Sequence, residues 1–428
     1  EIPFERFRLA NGLEVLLHRD SSLPLVAVNL WYHVGPAQEA SGRSGFAHLF
    51  EHLMFEGSRH AGRGFDTLLE AAGATSVNGT TSWDRTNYFE TLPRQHLELA
   101  LWLESDRMGF LLDEITQERL EVQREVVKNE RRQRYDNAPY GPSDLAMTEA
   151  LFPATHPYHG AVIGSMADLS RASLEDVRSF FQDHYAPSNA TLALAGDFEP
   201  AQARALVEKY FGTLPTRPRP ARAVVPPVTL EGERRVEVSE PVKLARVAIG
   251  WLTPPAYSPD DVQLDVVALL LAGGKATRLY RSLVVDERVA STVSASLDSN
   301  GLSSMFQIEA LVARDVDPGR TERAVDAALA SLAADGPAAA ELARAKRRLL
   351  LHVLEDLQRL DGPGGESGRA GTLQRLNHYL GDPGRLGEYL SRIESVSADD
   401  VRRAVTRHLP RTARVVVVTR PAAGGGKP

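Results

Sequence analysis

Residues 45–57 read GFAHLFEHLMFEG. His48 and His52 are four positions apart, so on a helix their imidazoles lie on one face and can share one metal ion. Glu51 directly precedes His52, at the edge of that face, where it can reach a metal-bound water without ligating the metal. The stretch predicts a mostly apolar, buried helix, ended by Gly57, that carries part of a metal site. The alternative is a buried helix with two ordinary core histidines.

The order H-x-x-E-H is a zinc-peptidase pattern in which the glutamate is the general base. A catalytic zinc usually has three protein ligands, so one more must come from elsewhere. The predicted helix at residues 115–134, ITQERLEVQREVVKNERRQR, offers carboxylates. Glu130 follows Val127 and Val126 by three and four residues and shares their apolar face, whereas Glu125 lies roughly 140° around the helix. Helical phase therefore favours Glu130, with an ordinary surface glutamate as the alternative.

Five further segments follow the motif along the chain: SVNGTTSWDRTNYF at 76–89, QREVVKNE at 123–130, HPY at 156–158, IGS at 163–165 and HYAPSNA at 184–190. With H-x-x-E-H, they resemble the pitrilysin or insulinase family (M16) of zinc peptidases. The resemblance is to its short-chain branch, which includes mitochondrial processing peptidase subunits and bacterial relatives. It implies one zinc ion per chain, held by His48, His52 and Glu130, with Glu51 as the base for the zinc-bound water. Gln123 stands where the family has a glutamate that supports the ligands.

The resemblance also implies a substrate-binding strand within residues 76–91. In the family this strand lies beside the zinc and pairs with the substrate backbone, a mode that accepts many peptide sequences. The residues expected to bind substrate are Asn78, Thr80, Thr81 and Ser82. An ordinary strand of the sheet is a compatible alternative.

Composition sets broad limits on the function. The chain has 428 residues, a net charge of −7 and no cysteine, which excludes disulfides and thiolate metal sites and disfavours nucleic-acid binding. The sequence has no stretch of 18 apolar residues, so no membrane span is predicted. The chain starts at Glu1 without methionine, so removal of a signal segment or of the initiator is expected. Together with the absence of cysteine, which fits an oxidising compartment, this favours a periplasmic or otherwise exported protein, with a cytoplasmic one as the alternative. The end of the chain, residues 422–428, is expected to be disordered.

A sequence repeat indicates two homologous halves. Residues 26–31 have an echo at 246–251, 220 positions later, and residues 173–178 have one at 397–402, 224 positions later. These nearly equal offsets suggest a duplicated domain of about 200 residues. We therefore predict three parts: a zinc-binding catalytic domain at 1–214, a proline-rich linker at 215–228, and a homologous domain without metal at 229–428.

The predicted fold class is α+β. Strands are expected at residues 7–18, 25–34 and 76–91, among others, with helices between them. The family resemblance implies two α/β-sandwich-like halves that face each other as a clamshell. Residues 267–273, VALLLAG, stand where the first half has its motif and contain no His or Glu, so only the first half is expected to hold zinc.

These observations predict a zinc endopeptidase that cleaves peptides or unfolded segments. One alternative is a non-catalytic scaffold subunit of the same family, in which such motifs are usually broken. An iron enzyme with two histidines and one carboxylate is another, and it is disfavoured by the spacing and by the resemblance over nearly the whole chain.

The second half differs from the family at two positions. Family members that act alone carry an Arg and a Tyr there that hold the substrate, and residues 278–291 have Val284 and Ser291 in their places. Valine has no hydrogen-bond donor and serine is shorter than tyrosine. We therefore expect a heterodimer with a homologous chain that lacks H-x-x-E-H and supplies both residues. Substitution by nearby side chains is the alternative: Tyr280, Arg281 and Arg288.

Overall fold

The computed structural model describes residues 1–221 and 224–422. The strands in these residues are β1 (Glu5–Arg8), β2 (Glu14–Arg19), β3 (Leu25–Tyr32), β4 (Thr75–Thr81), β5 (Thr86–Pro93), β6 (Ala190–Gly196), β7 (Arg234–Glu240), β8 (Arg246–Thr253), β9 (Ala290–Asp298), β10 (Ser304–Val312) and β11 (Val415–Pro421). The helices are α1 (Phe46–Leu53), α2 (Phe65–Ala71), α3 (Leu97–Phe110), α4 (Gln117–Arg131), α5 (Gly141–Leu151), α6 (Met166–Arg171), α7 (Leu174–His184), α8 (Pro200–Phe211), α9 (Asp261–Ala272), α10 (Pro318–Asp335), α11 (Ala339–Asp356), α12 (Gly368–Leu380), α13 (Leu386–Ser395) and α14 (Ala398–His408).

The strands form two sheets with the same internal order. The first sheet is β1-β2-β6-β3-β5-β4 and the second is β7-β11-β8-β10-β9. In each sheet one pair is parallel, β2 with β6 and β7 with β11, and the other pairs are antiparallel. The repeated order confirms the predicted α+β fold with a duplicated domain, the first copy having one extra edge strand.

The repeat extends to the start of a helix in each copy. Ser173 precedes α7 and accepts a hydrogen bond from the backbone N–H of Asp176, and Ser397 does the same for Asp400 before α14. In both cases the aspartate carboxylate in turn accepts a hydrogen bond from the serine backbone N–H, a reciprocal arrangement that satisfies two helix-end donors. The two echoes 224 residues apart therefore fold into the same local structure.

The chain divides into two compact units. Unit 1 comprises residues 1–129, 161–224 and 354–387, and unit 2 comprises residues 130–160, 225–353 and 388–428. One of the boundaries between the units, at 224/225, falls inside the predicted linker. The described residues of this linker form no helix or strand, as its prolines predict. Linker residues 222–223 and tail residues 423–428 lie outside the described structure. The predicted domain boundaries follow the sequence repeat and remain a prediction.

Each half of the sequence gives one helix to the unit built mainly by the other half. α12 packs in unit 1, where Ala370 and Leu373 share a buried cluster with Leu16 of β2. Its buried Gln374 donates to two strand carbonyls, at 2.8 and 2.7 Å. α5 lies against β7, β8 and β11 in unit 2. This exchange depends on tertiary packing, so the sequence repeat does not reveal it.

Two strand predictions were wrong in their extent. Residues 7–18 form β1 and β2, because the chain turns at Gly12, whose φ of +97° suits glycine. Residues 76–91 form the hairpin of β4 and β5, with Ser82 donating its N–H to the Arg85 carbonyl at 2.9 Å. In both regions β-forming residues continue close to the turn, and this hid the reversal.

Candidate metal centre

The motif helix α1 begins at a position that only glycine fits. Gly45 has a φ of +90°, and a Cβ there would lie 2.4 Å from the carbonyl oxygen of Ile163. The carboxylate of Glu39 accepts hydrogen bonds from the N–H groups of Gly45 and Ala47, at 3.0 and 2.8 Å. Burial raises the pKa of the Glu39 carboxyl to about 7, even though these backbone donors act in the opposite direction. A side chain outside the helix thus provides its N-terminal cap.

Packing on the apolar side sets the rotation of α1. Phe50 is fully buried and stacks on Phe180, with ring centroids 5.1 Å apart, and it lies 5.1 Å from the ring of Tyr185. Because His48 and His52 share another face of the helix, this packing turns them together. Their ring centroids are 4.9 Å apart, and His48 is buried.

The predicted third ligand meets the two histidines. One ring nitrogen each of His48 and His52 and one carboxylate oxygen of Glu130 all lie within 4.8 Å of one another. Among the described residues, this is the one group of three His, Cys, Asp or Glu side chains found so arranged. Two imidazoles and a carboxylate are a donor set that suits catalytic zinc, so the residues fit the implied metal.

Glu130 is held by the helix that the sequence predicted. It is the last residue but one of α4. The first segment of unit 1 ends at Asn129, the residue directly before it. Val127 is fully buried, whereas Val126 is 42 % exposed. Glu130 also pairs with Arg134, whose Nε lies 3.1 Å from its Oε1, and Arg134 is largely exposed. The structure thus brings Glu130 to the two histidines, although only Val127 of the two valines used to predict its face is buried.

Glu51 is oriented toward β4. The hydroxyl of Thr81 donates to Glu51 Oε2 at 2.6 Å. A Cβ on Gly79 would lie only 3.1 Å from Glu51 Cγ, so glycine leaves room for the stem of the glutamate. Glu51 is outside the three-residue ligand group, as expected of a base rather than a ligand.

Strand β4 has the position expected of a peptide-binding strand. It is the outermost strand of its sheet, next to β5 alone. Asn78 accepts a hydrogen bond from Gly79 N–H at 2.9 Å, and Thr80 donates to the Gly364 carbonyl at 3.1 Å. Ser82 lies in the turn after the strand. Their substrate-binding role remains a prediction, and the Thr80 and Thr81 hydroxyls already have partners within the chain.

Gln123 contacts an acidic residue near the motif. Its amide donates to Glu56 Oε1 at 2.6 Å, and Glu56 follows His52 by four residues. Sequence reasoning missed Glu56. The motif helix was expected to end at Gly57, but α1 ends at Leu53, so Glu56 lies outside the helix and helical spacing does not relate it to His52. Sequence reasoning also missed Glu39, which has no local pattern to mark it.

Unit 2 has no counterpart of this ligand group in α9. Ser291 stands where the family resemblance places a tyrosine. Its hydroxyl donates a hydrogen bond to the Leu311 carbonyl at 3.2 Å. Val284 packs partly buried against the core of unit 2. Arg278, which matches the family, is held by Glu341 at 2.8 and 2.9 Å. Within the described residues, these side chains serve the structure of unit 2.

Two family descriptions match the chain. Residues 14–151 match "Insulinase (Peptidase family M16)" and residues 171–349 match "Peptidase M16 inactive domain". The chain belongs to the M16 peptidase family. The M16 match at 14–151 contains all three ligand residues and Glu51, whereas the inactive-domain match covers most of the second half.

Similar proteins include named M16 proteases. The zinc protease PqqE of Helicobacter pylori is 33% identical over 67% of this chain and 65% of its own length. A protease crystal structure from Helicobacter pylori has a TM-score of 0.91 and 26% identity, covering 98% of this chain and all of that one. The periplasmic protease PqqL of Escherichia coli has a TM-score of 0.80 and 19% identity, covering 98% of this chain and 48% of that one. The last likeness is evidence for the M16 fold alone.

None of the helices in the described residues combines the length and the apolar character needed to cross a bilayer.

Proposed function

We propose that the chain is a zinc-dependent endopeptidase that cleaves peptides or unfolded segments. The observation that carries the proposal is the convergence of His48, His52 and Glu130 within 4.8 Å, with Glu51 next to His52 in the motif. The names of relatives such as the zinc protease PqqE support the same function.

The metal-binding residues, Glu51 and strand β4 would have different roles in the reaction. His48, His52 and Glu130 would hold zinc, which when bound polarises a scissile carbonyl and acidifies water. Glu51 would accept the proton of the attacking water and pass it to the leaving amine. The outer edge of β4, which pairs with no further strand among the described residues, would hold the substrate backbone in an extended conformation by main-chain hydrogen bonds.

Removal and return of the metal test this proposal. The purified chain is treated with a chelator, dialysed, and assayed on an unfolded protein before and after zinc is restored. We expect cleavage to disappear with the metal and to return with one equivalent of zinc. Cleavage that persists in the metal-free chain would refute a zinc-dependent mechanism.

The second candidate function is that of a non-catalytic subunit. It is favoured by the inactive-domain match at residues 171–349. That match lies outside the three ligand residues and Glu51, so we place it second. A chain that binds zinc and cleaves no peptide, either alone or with a partner, would support this candidate.

We further propose that full activity needs a homologous partner chain. Val284 and Ser291 stand where the family resemblance places the Arg and Tyr that hold substrate. This chain matches 48% of the length of PqqL, so PqqL has a further stretch of similar length in the same polypeptide. A periplasmic or otherwise exported location is proposed because the sequence is 31% identical over 219 residues to PqqL, which is described as a periplasmic protease.

Kinetics with and without the partner test the heterodimer. The chain alone should bind zinc and cleave peptides slowly, mainly because substrate is held weakly, and the co-purified partner should raise kcat/KM. As a control, the same partner is added to the Glu51→Gln variant, which should stay inactive. Full activity of the chain at concentrations where it is monomeric would contradict the need for a partner.

A further inference from the structure

Two residues of β4 contact the same side chain of the motif helix. Thr81 Oγ1 donates to Glu51 Oε2 at 2.6 Å, and a Cβ on Gly79 would lie only 3.1 Å from Glu51 Cγ. Gly79 and Thr81 are two residues apart, so they face the same side of the strand. A side chain at position 79 would also meet the ring of Tyr88 at 3.1 Å. Gly79 and Thr81 thus border the space that Glu51 occupies, and a larger side chain at position 79 would fill part of it.

The strand is fixed from its other side as well. Between these two residues, Thr80 faces away and donates to the Gly364 carbonyl at 3.1 Å. Arg85 donates to the Thr80 carbonyl at 2.9 Å and is almost fully buried. Its Nε also donates to Glu366 Oε1 at 2.9 Å. These contacts fix the backbone next to Thr81, so its hydroxyl is presented to Glu51 in one place.

We infer that Thr81 is a positioning residue for Glu51, and that Gly79 supplies the space this requires. The inference rests on the proposed function, in which Glu51 is the general base. A glutamate on a helix surface has several rotatable bonds, and most of its rotamers would point the carboxylate elsewhere. A hydroxyl-to-carboxylate bond of 2.6 Å is a strong, charge-assisted one. The hydroxyl of Thr81 is therefore used to orient the base rather than to hold the peptide.

Substitution of Thr81 distinguishes a role in orienting Glu51 from a role in holding the peptide. Thr81→Val keeps the shape and removes the donor, so kcat should fall by roughly 10- to 100-fold, the cost typical of losing a supporting contact at a metal site. KM should stay within about twofold, because the substrate contacts are unchanged. Zinc content should equal that of the wild type. Thr81→Ser restores the hydroxyl and should recover most of kcat.

A matched control is available on the same strand. Thr75 lies at the exposed far end of β4 and donates to the Thr91 carbonyl at 3.3 Å. Thr75→Val makes the same chemical change and should leave kcat, KM and zinc content unaltered. An equal loss in Thr75→Val and Thr81→Val would mean that the strand as a whole, and not the bond to Glu51, is responsible.

A structural readout keeps the inference independent of the proposed function. In crystals of the zinc-loaded Thr81→Val chain, we expect the Glu51 carboxylate to occupy other rotamers, and in Thr81→Ser to return. Unchanged Glu51 in Thr81→Val, or a raised KM with unchanged kcat, would overturn the positioning role. A wild type that is inactive even with its partner would refute the peptidase function, while the Glu51 conformations would still decide the inference.

Discussion

Glu51→Gln is expected to abolish peptide cleavage while the chain keeps its zinc. The amide has nearly the same size and can still accept the hydrogen bond from Thr81, but it cannot take a proton from water. General-base catalysis typically contributes about 10²- to 10⁴-fold, so kcat should fall by that amount. The measurement is kcat on an unfolded substrate, together with the zinc content of the same preparation.

The outcome distinguishes a base from a ligand. Glu70→Gln, an exposed carboxylate on α2, is the matched control and should behave as the wild type. If Glu51→Gln loses zinc together with activity, Glu51 is a ligand and the assignment is wrong. Glu130→Gln should show the reverse order, with zinc binding weakened first.

The double variant His48→Ala, His52→Ala is expected to lose zinc altogether. Glu130 would remain as the single member of the ligand group, and one carboxylate does not hold zinc against dialysis. Zinc per chain, measured by elemental analysis after dialysis, should fall from one to none, and cleavage should disappear with it.

Folding of this variant needs its own check, since His48 is buried and its replacement leaves a small cavity. Circular dichroism and the melting temperature of the metal-free forms provide this check. His352→Ala on α11, which removes an exposed histidine, is the control and should retain zinc. A well-folded double variant that keeps full zinc occupancy would place the metal elsewhere.

The grouping of the two histidines was predictable because His48 and His52 are one turn apart on a helix. Glu130 was chosen mainly through the family resemblance, since helical phase left an ordinary surface glutamate open and Val126 is exposed in the structure. The duplicated fold was predictable from echoes at nearly equal offsets, which became β3 and β8 and the two capped helices. Periodicity and spacing carry such information within a few turns of one element.

The surroundings of the site were not predictable in the same way. Arg85 and Glu366 are 281 residues apart, and no pattern in the chain pairs them. Thr81 was expected to bind substrate on the family resemblance. Strand alternation shows which residues share a face but not what a neighbouring helix presents to them, so the contact with Glu51 was not predictable. Glu39 caps α1 from a preceding loop, and its elevated pKa follows from burial, which is a tertiary property.

Crystals of the zinc-loaded chain would locate the metal by anomalous scattering measured above and below the zinc absorption edge. We expect one strong anomalous peak per chain, bonded to a nitrogen each of His48 and His52 and to a carboxylate oxygen of Glu130, with Glu51 nearby but not bonded. A peak at other residues, or no peak at these three in crystals grown with zinc, would contradict the proposed metal centre.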